Sequence, residues 1–240
     1  MNRSRGIVLR SIRYSDTKAI VSIFTETSGT VDFIVRHSAK GHTAVRASAL
    51  APLTLVETLW EPHLNASLQK PRELNLWRPW LSLPFQPSKA AIAMFLGEML
   101  GHALRSEEAN GPLFDFVVNS LEWLDESEGH YANFHIVFLM KLTRFLGFMP
   151  NVDDWHDGAL FDLQSATFVN SAPLHPYYLD ATESELVPKF LRMNIRSMQA
   201  VGLNGAMRRR ALEIVAQFYR LHIPELPELK SLAVLEDVFA

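Results

Sequence analysis

Cysteine is missing from this sequence altogether. Its absence excludes a disulfide framework and every thiolate zinc site, the two commonest staples of small domains, and it suits a reducing compartment. Long apolar runs are missing too. The most hydrophobic stretches, 90–104 and 134–148, are broken by Glu98 and by Lys141 and Arg144, so neither reaches the roughly 18 uninterrupted apolar residues of a membrane span. The N-terminus is basic (Arg3, Arg5), but Arg10 and Arg13 follow where an export signal would place an apolar core. The chain also has no glycine-rich phosphate loop, dinucleotide fingerprint, GxSxG elbow or HExxH pair. The expectation is therefore a protein that is neither membrane-embedded nor exported, that is not an enzyme, and that carries no cofactor.

What is present suffices for a substantial core: 240 residues, of which 48% are hydrophobic. The formal charge of −3 conceals an asymmetry. Residues 1–50 hold eight Lys and Arg (Arg3, Arg5, Arg10, Arg13, Lys18, Arg36, Lys40, Arg46) against three acids, a net of +5, and the remainder carries 15 against 23, a net of −8. A basic N-terminal part on an acidic body points to a polyanionic partner, and an ordinary solvated charged face is the competing explanation.

Up to about residue 80 the periodicity is that of strands, at 6–13, 19–24, 31–36, 52–60 and 67–77, short and rich in β-branched residues. Thr27-Ser28-Gly29-Thr30 is hairpin chemistry, with Gly29 free to take a positive φ. Five short antiparallel strands predict a small closed barrel of the OB type, with an SH3-like barrel as the alternative. Leu83-Pro84-Phe85-Gln86-Pro87 marks a boundary, with Ser88 as the expected cap of the following helix. Beyond it the pattern is helical, at 88–105, 112–124 and 132–146, the last ended by Gly147. Residues 151–180 lose that period and read as a hairpin-bearing excursion. A capping box at Thr182-Glu183-Ser184-Glu185 predicts a helix to about 201, kinked or restarted at Pro188. Asn204 caps another to about 222, and 229–239 close the chain with a short amphipathic helix. The fold class is α+β: an OB-type domain over 1–80 and a larger, mainly helical domain over 81–240.

The basic residues of the expected barrel (Arg3, Arg5, Arg10, Arg13, Lys18, Arg36, Lys40, Arg46) can neutralise phosphates without reading bases, and Tyr14, Trp60, Trp77 and Trp80 are either stacking surfaces or core. Arg208, Arg209 and Arg210 form a second cluster, but three consecutive arginines cannot share a helix face, so ion pairing competes with DNA contact. Asp153, Asp154, His156 and Asp157 have the chemistry of a divalent-cation site and of a metal-dependent hydrolase, yet an acidic turn explains them without further assumption. His102, His130, His135 and His175 are scattered and read as packing or surface residues.

Several of these segments carry a resemblance. Arg5-Gly6-Ile7-Val8-Leu9-Arg10, Tyr14-Ser15-Asp16-Thr17 and Phe24-Thr25-Glu26-Thr27-Ser28-Gly29 resemble the opening of the RecO family of bacterial repair and recombination mediators. Leu113-Phe114, Phe145-Leu146-Gly147-Phe148-Met149-Pro150 and Pro227-Glu228-Leu229-Lys230-Ser231-Leu232 resemble later landmarks of the family in the same order, so the likeness covers nearly the whole chain. It implies an OB domain and a helical domain that bind single- and double-stranded DNA and anneal complementary strands. It further implies partnership with RecR in loading RecA, binding of the C-terminal tail of the single-stranded DNA-binding protein, and a cytoplasmic, nucleoid-associated location. Many relatives place a four-cysteine zinc module at 151–180. Here Asp154 and Asp157 stand at the first CxxC-like positions, so no structural zinc is expected. For the tail peptide, Leu104, Arg105, Lys141 and Arg144 are candidates by chemistry, as an apolar groove beside cations. The alternative to a DNA binder is an interaction adaptor whose barrel holds a peptide or another repair subunit.

Overall fold

The computed structural model describes residues 1–36, 47–63, 65–194, 198 and 202–239. Its first five strands are β1 (Asn2–Ser15), β2 (Lys18–Thr25), β3 (Gly29–Arg36), β4 (Leu55–Trp60) and β5 (Pro71–Arg78), hydrogen-bonded in the order β3-β2-β1-β4-β5. β1 is long enough to serve two neighbours: Asn2–Ile7 pair with β4, while Gly6–Ser15 pair with β2 through a register shift between Val8 and Arg10. Such a bulge bends and twists a strand, which lets one sheet curl on itself. Closure comes from a parallel bridge between Phe33 and Gln69, where Ile34 N–H donates to Gln69 O at 2.9 Å and Gln69 N–H to Asp32 O at 2.8 Å. A five-stranded sheet with this order and a parallel closing contact is the OB-type barrel expected from the strand pattern.

Its interior is built from the alternating apolar positions of those strands, Val8, Ala19, Val21, Ile23, Phe33, Val35, Val56, Trp60 and Leu74, and is plugged by Leu50 from a 3₁₀ turn at Ala47–Leu50. Trp60 is core: it is buried and meets Phe33 edge-on at 5.4 Å. Gly29 takes φ +67°, and a Cβ there would stand 2.3 Å from the carbonyl oxygen of Glu107, so both conformation and space demand glycine. β4 begins three residues later than expected because Leu53, at φ 63°, turns the chain just before it.

The helices are α1 (Pro87–Ala103), α2 (Gly111–Glu126), α3 (Phe134–Leu146), α4 (Ala181–Ser184), α5 (Leu186–Arg192), α6 (Gly205–His222) and α7 (Ser231–Val238), with three short strands, β6 (Leu160–Asp162), β7 (Thr167–Val169) and β8 (Tyr178–Leu179), in the excursion. Some expected ends moved. Pro87 opens α1 with Gln86 at the cap position, because proline's fixed φ and missing N–H suit the first helical turn, and Ser88 falls inside it. Asp180 accepts from Glu183 N–H and caps α4, in place of Thr182. The helix expected to 201, kinked or restarted at Pro188, does restart, but at Glu185, where α4 gives way to α5, and it ends early, with Met193 extended at ψ 144°. Pro188 lies in the first turn of α5, where its lack of an N–H breaks no bond.

The chain forms two compact units, Met1–Glu126 with Leu229–Leu235, and Ser127–Glu228 with Glu236–Ala240. In the first, the linker after the barrel is held by the buried Asp125, whose carboxylate accepts N–H bonds from Leu81, Ser82 and Leu83. In the second, α3 is apolar nearly all round and buried, as a central helix must be; Tyr219 OH donates to Leu139 O at 2.7 Å and fixes α6 against it. Among the described residues no helix is long and apolar enough to cross a membrane.

Candidate nucleic-acid interface

The site begins with strand register. Ala19 and Val21 of β2 and Phe33 and Val35 of β3 point into the core, so the residues alternating with them face outward. Cross-strand partners share a face, which sets Ile12, Ile20 and Ile34 in one row across β1, β2 and β3. Arg10, Ser22 and Asp32 form the next row, and Lys18 and Arg36 pair beyond the isoleucines. Ile12 is 43% exposed and Tyr14, in the second register shift of β1, 64% exposed. An apolar band with Lys18 and Arg36 on one side, and Arg10 in a row shared with Asp32 on the other, can cover bases while its cations meet phosphates. Sequence alone did not single out the isoleucine row, because period-2 alternation does not say which strands are neighbours.

The cations of the barrel divide into two sets. Arg3 donates to Glu57 at 2.9 Å, Arg5 Nε to Glu26 at 2.8 Å, Arg72 to Glu61 at 2.8 Å, and Arg13 and Arg78 pair with Asp16 and Glu122. Arg5 also lies over Trp77, and so does Arg78, each at 4.8 Å from the ring centroid. The hydrogen bond to Glu26 holds Arg5 above its usual range and Glu26 below its own, against a smaller opposing effect of burial. Arg10, Lys18 and Arg36, by contrast, make no ion pair among the described residues. Lys40 and Arg46 lie outside the described residues. Trp80 donates its indole N–H to Leu53 O at 3.0 Å, which leaves Tyr14 as the most exposed of the four candidate aromatics.

Arg208, Arg209 and Arg210, on the first turns of α6, part company as the helical spacing requires. Arg208 turns inward, donating to Asn133 Oδ1 and Leu203 O at 3.0 Å, and desolvation holds its pKa below the usual range. Arg210 pairs with Glu183 and Glu213. Arg209 is exposed, with no ion pair among the described residues. Of the residues considered for a peptide groove, Leu104 is fully buried, Arg105 exposed, and both belong to the first unit; Lys141 and Arg144 belong to the second. Lys141 donates its ammonium to Leu191 O near the end of α5, and Arg144 is exposed.

The acidic turn is closed by local bonds: Asn151 Oδ1 accepts from Asp153 N–H, and His156 bridges Asp157 O and Asn170 Oδ1. Among the described residues no three His, Asp or Glu side chains are placed to hold a metal ion. The excursion is held instead by a hydrophobic cluster of Ala159, Phe161, Leu163, Ala166, Phe168 and Leu179 with Val187, Ile214 and Phe218. Phe148 stacks on His222 at 5.0 Å, and His222 Nε2 reaches Leu163 O at 2.9 Å.

Two family models match the chain: "Recombination protein O N terminal" over residues 1–80 and "Recombination protein O C terminal" over residues 84–233. Among curated proteins, one from Bacteroides fragilis named DNA repair protein RecO is 41% identical over 240 residues, covering 100% of this chain and 99% of its own. A protein of the same name from Phocaeicola vulgatus is 39% identical over the full length of both, and one from Porphyromonas gingivalis is 33% identical over 98% of each.

Proposed function

This chain belongs to the RecO family of DNA repair proteins, and on that premise we propose that it binds single- and double-stranded DNA on the outer face of β1, β2 and β3 and brings complementary strands together. The observation that carries this reading is the division of the barrel cations. Arg10, Lys18 and Arg36 border the partly exposed isoleucine row and make no ion pair among the described residues, although the exposed Asp32 shares the row of Arg10, whereas Arg3, Arg5, Arg13, Arg72 and Arg78 are paired and Lys70, which precedes β5, lies on none of these three strands. Neutralising phosphates while leaving base edges unread is what annealing requires, since two strands can then approach with their pairing faces free.

In this reading the protein works on cytoplasmic, nucleoid-associated DNA. It acts with RecR to help load RecA, and it binds the C-terminal tail of the single-stranded DNA-binding protein. Family membership supports these partnerships. Of the three arginines on α6, Arg209 is the one that is exposed without an ion pair among the described residues, and it can supply a further phosphate contact. The reading is tested by following fluorescence energy transfer as two labelled complementary oligonucleotides combine. Wild-type protein should accelerate annealing well above the spontaneous rate, and Lys18→Glu with Arg36→Glu should remove most of the acceleration. A folded wild type that neither binds nor anneals would favour an adaptor that meets DNA only through a partner.

A further inference from the structure

We propose that two copies of this chain pair edge to edge along the open length of β1, and that the two-fold pair holds two DNA strands antiparallel on one continuous face. The inference rests on the DNA-binding reading above and deepens it, by supplying the geometry that annealing needs.

β1 serves its two neighbours over only part of its length. β4 pairs with Asn2–Ile7, and from Arg10 to Ser15 the strand is bonded on one side, to β2. Its last backbone bonds toward the other side are at Val8, whose N–H donates to Thr54 O at 3.0 Å and whose carbonyl accepts from Leu53 N–H at 2.7 Å; among the described residues none follows up to Ser15. Every residue from Arg10 to Thr17 is exposed. An open, exposed edge is a template for another strand, and the sequence of this one fits its own reverse. For the outer faces of two copies to lie on the same side, the two-fold axis must stand perpendicular to the sheet, so residues that point to the same face oppose each other. Centred on Arg13, such a pair sets arginine against arginine, which destabilises it. Centred on Ser11, it sets Arg13 against Leu9, which is buried where α1 packs on the strand, a Cβ on Gly101 standing 3.4 Å from Leu9 O. Centred on Ile12, it sets Ile12 on Ile12, Ser11 beside Arg13 and Arg10 beside Tyr14, with no like charges opposite one another. Arg13 keeps its own counter-ion, Asp16, in this register.

In this register the row of Ile12, Ile20 and Ile34 runs on from one copy into the other, and the cations beside it are doubled. The strands bound on the two halves are related by the two-fold axis and therefore run antiparallel, as base pairing requires. The contact is small beside the about 1,600 Å² of a standard complex, so pairing is weak in the free protein and is strengthened when DNA bridges the copies. Because the chain has no cysteine, an introduced one reports a single position. The test is the rate of disulfide cross-linking between copies of Ile12→Cys with a single-stranded oligonucleotide bound, against Asp32→Cys, which is exposed on the same face but on β3. Ile12→Cys should cross-link about tenfold faster, since directly opposed positions bring their Cβ atoms close to disulfide reach. Added to Ile12→Cys, Ser11→Glu sets a carboxylate against Arg13 and should speed cross-linking, whereas Ser11→Arg should slow it several-fold. In the otherwise native chain Ser11→Arg should slow annealing and leave oligonucleotide affinity in place. A folding defect would not make two charges at one exposed position act in opposite directions. Equal rates for Ile12→Cys and Asp32→Cys, with the oligonucleotide still bound, overturn the pairing and leave the barrel site intact. Fast cross-linking at Ile12 that ignores both charges overturns the register and the pairing built on it. A wild type that binds no oligonucleotide overturns the barrel reading itself.

Discussion

Arg5 and Lys18 stand on neighbouring strands of one barrel and are expected to answer substitution in opposite ways. Arg5 is held by Glu26 and lies over Trp77 and Phe114, so Arg5→Ala should cost about 1–2 kcal/mol of stability in a urea titration and leave DNA affinity nearly unchanged. Lys18→Ala should leave the unfolding midpoint in place and weaken binding; the reverse pattern would mean that ion pairing does not mark the inactive cations. His135 is a different case. It is fully buried beside Phe239, and burial, with the charge of Arg208 adding to it, pushes its pKa down to about 3. The unfolded chain, with an ordinary histidine near 6.5, binds more protons between those values. The contribution of His135 is thus fully present above pH 6.5 and is lost as pH falls, by about 2 kcal/mol at pH 5. Comparing urea unfolding of wild type and His135→Gln at pH 7 and pH 5 checks this: the gap between them should shift in the variant's favour on acidification, and a constant gap would contradict it.

Among the elements, the excursion bearing β6, β7 and β8 is packed through Phe161, Phe168 and Phe218. Phe161→Ala should cost about 3–5 kcal/mol, as for any large buried aromatic, whereas exhaustive chelation with EDTA should not move the thermal midpoint. A drop of several degrees on chelation would show that metal contributes. Elements were legible in the sequence wherever a local signal fixes them: alternation gave the five strands, Gly29 the β2–β3 hairpin, and Asn204, which accepts from Met207 N–H at 2.9 Å, the start of α6. Ends decided by packing were not. The expected helix to 201 stops at Arg192, and the linker 81–83 is set by Asp125, more than forty residues away, which no local pattern announces.

At the scale of the molecule, the excess of positive charge in residues 1–50 pointed to the basic end but not to the cations that are available there. That distinction depends on contacts such as Arg3 with Glu57 and Arg78 with Glu122, which sequence distance hides. The boundary expected near residue 80 separates kinds of secondary structure, while the compact units divide after Glu126, because α1 and α2 pack with the barrel. Whether Arg10, Lys18 and Arg36 hold the DNA is read from the slope of log affinity against log salt for a labelled single strand, in wild type and in Arg10→Gln/Lys18→Gln/Arg36→Gln. The slope should be steep in wild type and shallower by about 2 in the variant, three phosphate contacts at roughly 0.7 each; an unchanged slope with unchanged affinity would place the DNA elsewhere.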